Sequence, residues 1–150
     1  MKVTLASISS RQRAKSEATE ALTRDYVGRA TRLCATDAAV FESEASLLAA
    51  ADRLPGRAAA KVVLFDSRGD LLTSGEFAHF LGRLRDEGSQ RVLFCLGPAD
   101  GWSKVALARA DRVLSLGRMT LPHELARAVV AEQIYRALTI LAGHPYHSGH

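Results

Sequence analysis

The sequence predicts an α/β fold: a mostly parallel sheet flanked by helices on both faces. Apolar runs of strand length alternate along the chain with amphipathic stretches of helix length, and the strand-length runs are apolar throughout rather than every second residue. Strands of that kind are buried on both faces, which a parallel sheet between helical layers provides. The 150 residues suffice for one domain with a single core, and 47% apolar against 24% charged residues is the profile of a folded globular chain. A single domain over 1–150 is therefore expected.

Val3–Ile8 reads as the first strand and Arg11–Ala30 as the first helix. Ala38–Phe41 is a short second strand, followed by a helix over Ser43–Leu54 with Leu47, Leu48, Ala51 and Leu54 on one stripe. Pro55 and Gly56 place a turn within Asp52–Ala60. Lys61–Phe65 is the third strand. In the helix expected over Gly75–Glu87, Phe77, Phe80, Leu81 and Leu84 repeat at the spacing of one helical face. Arg91–Leu96 and Arg112–Leu116 are the last strands, separated by a helix over Ser103–Ala110, and Pro122–Ala142 is the last helix. Its start carries Thr120 as a candidate cap, Pro122 in the first turn and Glu124 against the helix dipole.

Charge and cysteine content narrow the function classes. The formal net charge is +4, and Met1 to Arg32 carries seven basic residues against three acidic ones. That excess suits a phosphate-facing surface, although a solvated helix face has the same composition. No apolar run reaches the roughly 18 residues of a membrane span. The N-terminal segment has no signal-peptide cleavage pattern, so a cytoplasmic location is expected. Cys34 and Cys95 stand apart from any metal or redox spacing. Cys95, inside Val92–Leu96, reads as a small buried hydrophobe.

Ligands of open parallel sheets bind outside the carboxyl ends of the strands. Three such ends run into candidate loops: Asp66-Ser67-Arg68-Gly69-Asp70, Gly97-Pro98-Ala99-Asp100-Gly101, and Gly117-Arg118-Met119-Thr120-Leu121-Pro122. Their glycines allow close backbone approach to a nucleoside-sized ligand. The last helix is apolar nearly all round; from Leu125 to Ala142 only Arg127, Glu132 and Arg136 carry charge. One side can pack on its own sheet, and the other is expected to meet a second copy, giving a homodimer. Glu132 and Arg136 are spaced for an intrahelical ion pair, whereas Arg127 and Arg136 can also point into a dimer cleft and grip phosphate. The tail His144-Pro145-Tyr146-His147-Ser148-Gly149-His150 can be read as a frayed end, a metal site or part of an active site. No carboxylate or cysteine accompanies its three histidines, so no metal is expected.

Met119-Thr120-Leu121-Pro122-His123, Arg127, Ala131-Glu132-Gln133-Ile134-Tyr135-Arg136-Ala137 and His144-Pro145-Tyr146-His147 together resemble the RlmH (YbeA) family of 23S rRNA pseudouridine-N3 methyltransferases. The likeness is dense over Leu116–His147 and thinner back to Phe65. It implies a SPOUT-type sheet with a C-terminal deep trefoil knot, a homodimer, and S-adenosylmethionine as cofactor. By motif position, Phe65 falls where the family lines its adenosine pocket, and Gly97 matches its first loop glycine. Leu116, Gly117, Arg118, Met119, Thr120 and Leu121 match its cofactor-cradling loop. Pro98 departs from the family, which has a second glycine there; proline fixes φ and removes an amide donor.

The implied reaction needs a cofactor methyl aligned with an imide nitrogen that must lose its proton. His147 with Tyr146, closing over the partner subunit's cofactor, are the candidate proton handlers beside His123, and Arg127 and Arg136 the candidates for charge stabilisation. The expected partners are a second copy, the ribosome and 23S rRNA, gripped by the first helix, the dimer cleft and the tail, with no membrane and no DNA. The target implied is a pseudouridine in a large-subunit rRNA stem-loop. A SPOUT enzyme with another RNA target, or a ribosome-binding module with a cofactor loop spoiled by Pro98, are the competing readings.

Overall fold

A computed structural model describes residues 1–9, 16–98 and 100–148. Strands and helices alternate strictly: β1 (Lys2–Ile8), α1 (Glu17–Thr31), β2 (Thr36–Phe41), α2 (Glu44–Ala51), β3 (Lys61–Leu71), α3 (Ser74–Asp86), β4 (Arg91–Leu96), α4 (Lys104–Arg109), β5 (Arg112–Ser115) and α5 (His123–Leu141). The strands form one sheet in the order β2-β1-β4-β3-β5, and every pairing in it is parallel.

The all-apolar strands are explained by the two cores they feed. Successive side chains point to opposite faces. Val63 and Phe94 join α1, α3 and α5 in one cluster. Their neighbours Val62, Leu64, Leu93 and Cys95 join α2, α4 and Trp102 in the other. Phe94 is fully buried and meets Phe77 edge-on, with ring centres 5.3 Å apart. Cys95 is the small core residue expected, and burial pushes its thiol pKa up.

The elements fall where the sequence predicts, with instructive differences in extent. The helix expected from Arg11 begins, among the described residues, at Glu17, with Ser16 as its cap. Arg11, Arg13 and Lys15 lie outside the described residues, as do Ala99, Gly149 and His150. β2 starts two residues earlier than Ala38, at Thr36. α2 ends at Ala51 rather than Leu54, because the chain leaves helical geometry at Asp52 (ψ 160°). The Arg91 guanidinium holds that exit by donating to the carbonyls of Ala50, Asp52 and Ala58. β3 continues past Phe65: residues 66–69 bulge out, and Asp70 and Leu71 resume pairing with Leu114 and Ser115. Gly69 permits this, since a Cβ there would lie 2.4 Å from the Leu114 backbone.

Thr120 does not cap α5. The cap position is taken by Pro122, which makes no side-chain capping bond and whose carbonyl accepts from Ala126 N at 2.9 Å. Thr120 instead belongs to the preceding loop. The second apolar side of α5, which the sequence assigns to another copy, is largely covered within the chain by α1 and α3. What α5 leaves open is a stripe of exposed Leu125 with partly buried Val129, Arg136 and Ile140.

Candidate functional site

Because β4, β3 and β5 are adjacent in the sheet, the loops leaving their carboxyl ends meet. They enclose a cavity of about 540 Å³ lined by residues of all three, from Phe65 and Asp66 through Gly97, Pro98, Gly101 and Trp102 to Thr120, Leu121, Pro122 and His123. A second cavity of about 200 Å³ shares Phe65, Asp66, Leu96, Thr120 and Leu121 with it and adds Leu116, Gly117, Arg118 and Met119. All eight residues expected at a cofactor thus line two adjoining cavities. The larger has the volume of a small-molecule pocket. Met119 is 86% exposed, so it forms a rim rather than a wall.

The walls are fixed by a few polar ties. Asp66, at the start of the β3 bulge, accepts from Arg68 Nε at 2.8 Å, Nη2 at 2.9 Å and backbone N at 2.9 Å. This two-pronged pair, helped by the Trp102 backbone N–H, holds the Asp66 carboxyl down at about 2. Trp102 is buried, donates from Nε1 to the Phe65 carbonyl at 2.9 Å, and lies flat where a Gly97 side chain would be: a Cβ there would sit 2.7 Å from its ring. Ser103 N donates to Glu44 Oε1 at 3.0 Å, which anchors the start of α4 to α2.

Pro98 is compatible with this loop. Its carbonyl accepts from Gly101 N at 3.0 Å, and the positive φ of the turn (+85°) falls on Gly101. No non-glycine residue among those described has positive φ, so proline at 98 causes no such strain. In the third loop Gly117 has φ +140°, and a Cβ there would meet nothing within 4 Å, so its backbone faces open space. Gly117 N donates to Ser115 Oγ at 3.2 Å, and that hydroxyl donates back to the Gly117 carbonyl at 2.9 Å.

The expected proton handlers form a separate group. Arg136 donates from Nε (2.9 Å) and Nη2 (2.6 Å) to Glu132 Oε1, which also accepts from Tyr146 OH at 3.0 Å. Arg136 Nη1 lies 3.0 Å from His147 Nδ1. Arginine only donates, so this contact makes Nδ1 the acceptor and places the ring N–H on Nε2. Burial first, then hydrogen bonds with Tyr26 and Glu132, push the Tyr146 phenol pKa up, which keeps it a neutral donor. Neither Tyr146 nor His147 lines the cavities; ten residues of helix separate Arg136 from the cavity residue Ala126, about 15 Å. Arg127 is apart from both. Its buried side chain donates from Nη1 to Glu20 Oε2 of α1 at 2.7 Å, while its Nε is buried without a partner. His123, at the start of α5, does line the larger cavity. No cluster of three potential metal-binding side chains occurs among the described residues.

Sequence reasoning missed Trp102 and Glu20. The first had a signal, the lone tryptophan just after a glycine loop. The second had none, because Arg127 and Glu20 are 107 positions apart.

The chain is similar to known proteins over most of its length. A family model described as "Predicted SPOUT methyltransferase" matches residues 1–147. The chain is 52% identical over 136 residues to the "Ribosomal RNA large subunit methyltransferase H" of Koribacter versatilis (strain Ellin345), covering 91% of this chain and 92% of that protein. It is 55% identical over 86 residues to the protein of the same name from Rhizobium meliloti (strain 1021), covering 57% of this chain and 54% of the relative. The crystal structure of the SpoU methyltransferase AviRb from Streptomyces viridochromogenes, in complex with the cofactor AdoMet, superposes with a TM-score of 0.50 at 14% identity, over 95% of this chain and 61% of that one. The chain thus spans about three fifths of that structure, a likeness of fold alone.

Proposed function

The chain belongs to the SPOUT methyltransferase family, and on that premise we propose that it transfers a methyl group from S-adenosylmethionine to N3 of a pseudouridine in 23S rRNA on the assembled ribosome. The observation that carries this is the meeting of three loops in two joined cavities lined by Phe65, Gly97 and Leu116 through Leu121. Membership also implies the C-terminal trefoil knot. No helix among the described residues is long and apolar enough to cross a membrane, and the expected place of action is the cytoplasm, where ribosomes are.

These residues fit the cofactor. Phe65, Leu96, Leu116 and Leu121 offer apolar walls to an adenosine, and the open backbone at Gly117 offers hydrogen-bonding groups without a side chain in the way. S-adenosylmethionine, when bound, supplies an electrophilic methyl and its own leaving group. The protein's part is alignment, exclusion of water and handling of the N3 proton.

The tail group lines neither cofactor cavity of its own chain. The Leu125–Val129–Ile140 stripe of α5 is left open for a second copy, and the proposed active species is a homodimer in which the tail of one copy serves the cavity of the other. In that arrangement Tyr146 acts as a hydrogen-bond donor rather than a base, with His147 held beside it by Arg136. Arg136 contributes positive charge close to His147 and Tyr146. Arg127, buried against Glu20, stabilises the α1–α5 contact. Calorimetry with S-adenosylmethionine tests the reading. A saturable heat with a rise in melting temperature is expected; no heat and no thermal shift would refute it.

A further inference from the structure

Glu132 is not the simple surface partner of an i, i+4 ion pair. Its side chain is 17% exposed and receives four donors. Arg136 supplies two of them and the Tyr146 hydroxyl a third, all to Oε1, and Gln133 Nε2 reaches Oε2 at 2.8 Å. Gln133 in turn accepts from Ser74 Oγ of α3 at 2.8 Å. Ser74 and Gln133 border a third cavity, about 210 Å³, whose far wall is Phe65, Ser115 and Leu116, residues that also line the cofactor cavities. The other face of the cluster is aromatic. Tyr146 meets Tyr135 at a tilt of 58° with ring centres 4.7 Å apart, and Tyr135 lies 6.0 Å from Tyr26 of α1. Side chains of α5 and the tail therefore meet on one carboxylate, with α3 tied in through Gln133 and α1 through the tyrosine rings. A partly buried carboxylate that accepts from four directions fixes the groups that donate to it.

We propose that Glu132 is a positioning residue for methyl transfer: it pins Tyr146 and Arg136, and through Arg136 His147, in one arrangement tied by Gln133 and Ser74 to a cavity that shares Phe65, Ser115 and Leu116 with the proposed cofactor site. This rests on the reading that the tail of one copy serves the cavity of another. Glu132 lines neither cofactor cavity. Its removal leaves the cavity walls in place and releases the tail.

The test uses the full-length protein and its Glu132→Gln variant, which keeps the shape and removes the charge. In the wild type, nitrogen NMR of His147, assigned with His147→Asn, should show the Nε2–H tautomer, and in Glu132→Gln that signature should be lost to averaging. Affinity for S-adenosylmethionine should stay within about twofold, while kcat on undermethylated ribosomes falls about tenfold or more. The Glu132→Gln/Tyr146→Phe double variant should be little slower than the worse single one, since both act through the same contact. An Nδ1–H tautomer in the wild type, an unchanged kcat in Glu132→Gln, or penalties that multiply would each overturn the proposal. Where Glu132→Gln lowers the melting temperature, Arg136→Lys, which keeps the charge but loses the fork, is read by the same NMR signature. A wild type that binds the cofactor without transferring methyl to ribosomes refutes the proposed function and this proposal with it, whereas an active wild type with an unchanged kcat in Glu132→Gln refutes the role of Glu132 alone.

Discussion

Replacing Asp66 by asparagine removes the charge on which the mouth of the cavities is built. The Asp66 side chain is 5% exposed and accepts both prongs of the Arg68 guanidinium, besides two backbone N–H groups. Its carboxyl is held at about 2 against an ordinary 3.8, chiefly by the Arg68 hydrogen bonds. That drop corresponds to about 2 kcal/mol, and because Arg68 is 63% exposed, solvent screening reduces it to about 1–2 kcal/mol. The folded-state pKa lies below the unfolded one. The stabilisation is therefore complete above about pH 4 and is lost as the pH falls through about 2. At neutral pH, Asp66→Asn should melt roughly 2–8 °C below wild type, and the gap should narrow steadily between pH 4 and 2. Urea or thermal unfolding at several pH values measures it. Equal stabilities at neutral pH, or a gap that persists unchanged to pH 2, would refute the reasoning.

Other consequences are as direct. Gly97→Ala places a methyl 2.7 Å from the Trp102 ring, which its bond to the Phe65 carbonyl holds in place; a loss of about 1–3 kcal/mol is expected, with weakened S-adenosylmethionine binding by calorimetry. Gly69→Ala meets the Leu114 backbone, which cannot step aside, so denaturant unfolding should show a cost of about 3 kcal/mol or more, or no folded protein at all. Arg127→Met removes the partner of a one-third-exposed Glu20 and should cost about 1–2 kcal/mol in the same assay. If its kcat falls by more than its stability explains, Arg127 acts in the reaction as well as in the fold. Trp102 is the lone tryptophan and lines the larger cavity, so its fluorescence should change on adding S-adenosylmethionine and give the same dissociation constant as calorimetry.

The parts of this molecule legible in the sequence are those set by local pattern. Val62 and Val63, or Leu93 and Phe94, must both be apolar because adjacent residues feed opposite cores, and so β3 and β4 read as unbroken apolar runs. The extension of β3 to Leu71 was hidden, since Asp66 to Asp70 are mostly polar and only the close approach of Gly69 to Leu114 explains the resumed pairing. The composition of α5 foretold burial on several sides, but not that α1 and α3 of the same chain would supply most of it. The cavity residues came from motif position, and the topology gives them a reason: the ends of β4, β3 and β5 are neighbours. The partners of Arg127, Gln133 and Tyr146 come from distant segments or from a turn of the tail, where no spacing rule reaches.

The most direct measurement follows the methyl group itself. The purified protein is incubated with labelled S-adenosylmethionine and ribosomes that lack the modification, and the rRNA is digested and mapped by mass spectrometry. The expected result is one labelled nucleotide in 23S rRNA, a pseudouridine methylated at N3, formed on whole ribosomes. Label on another nucleotide or another RNA would contradict the substrate assignment, and an absence of label despite cofactor binding would contradict the enzyme.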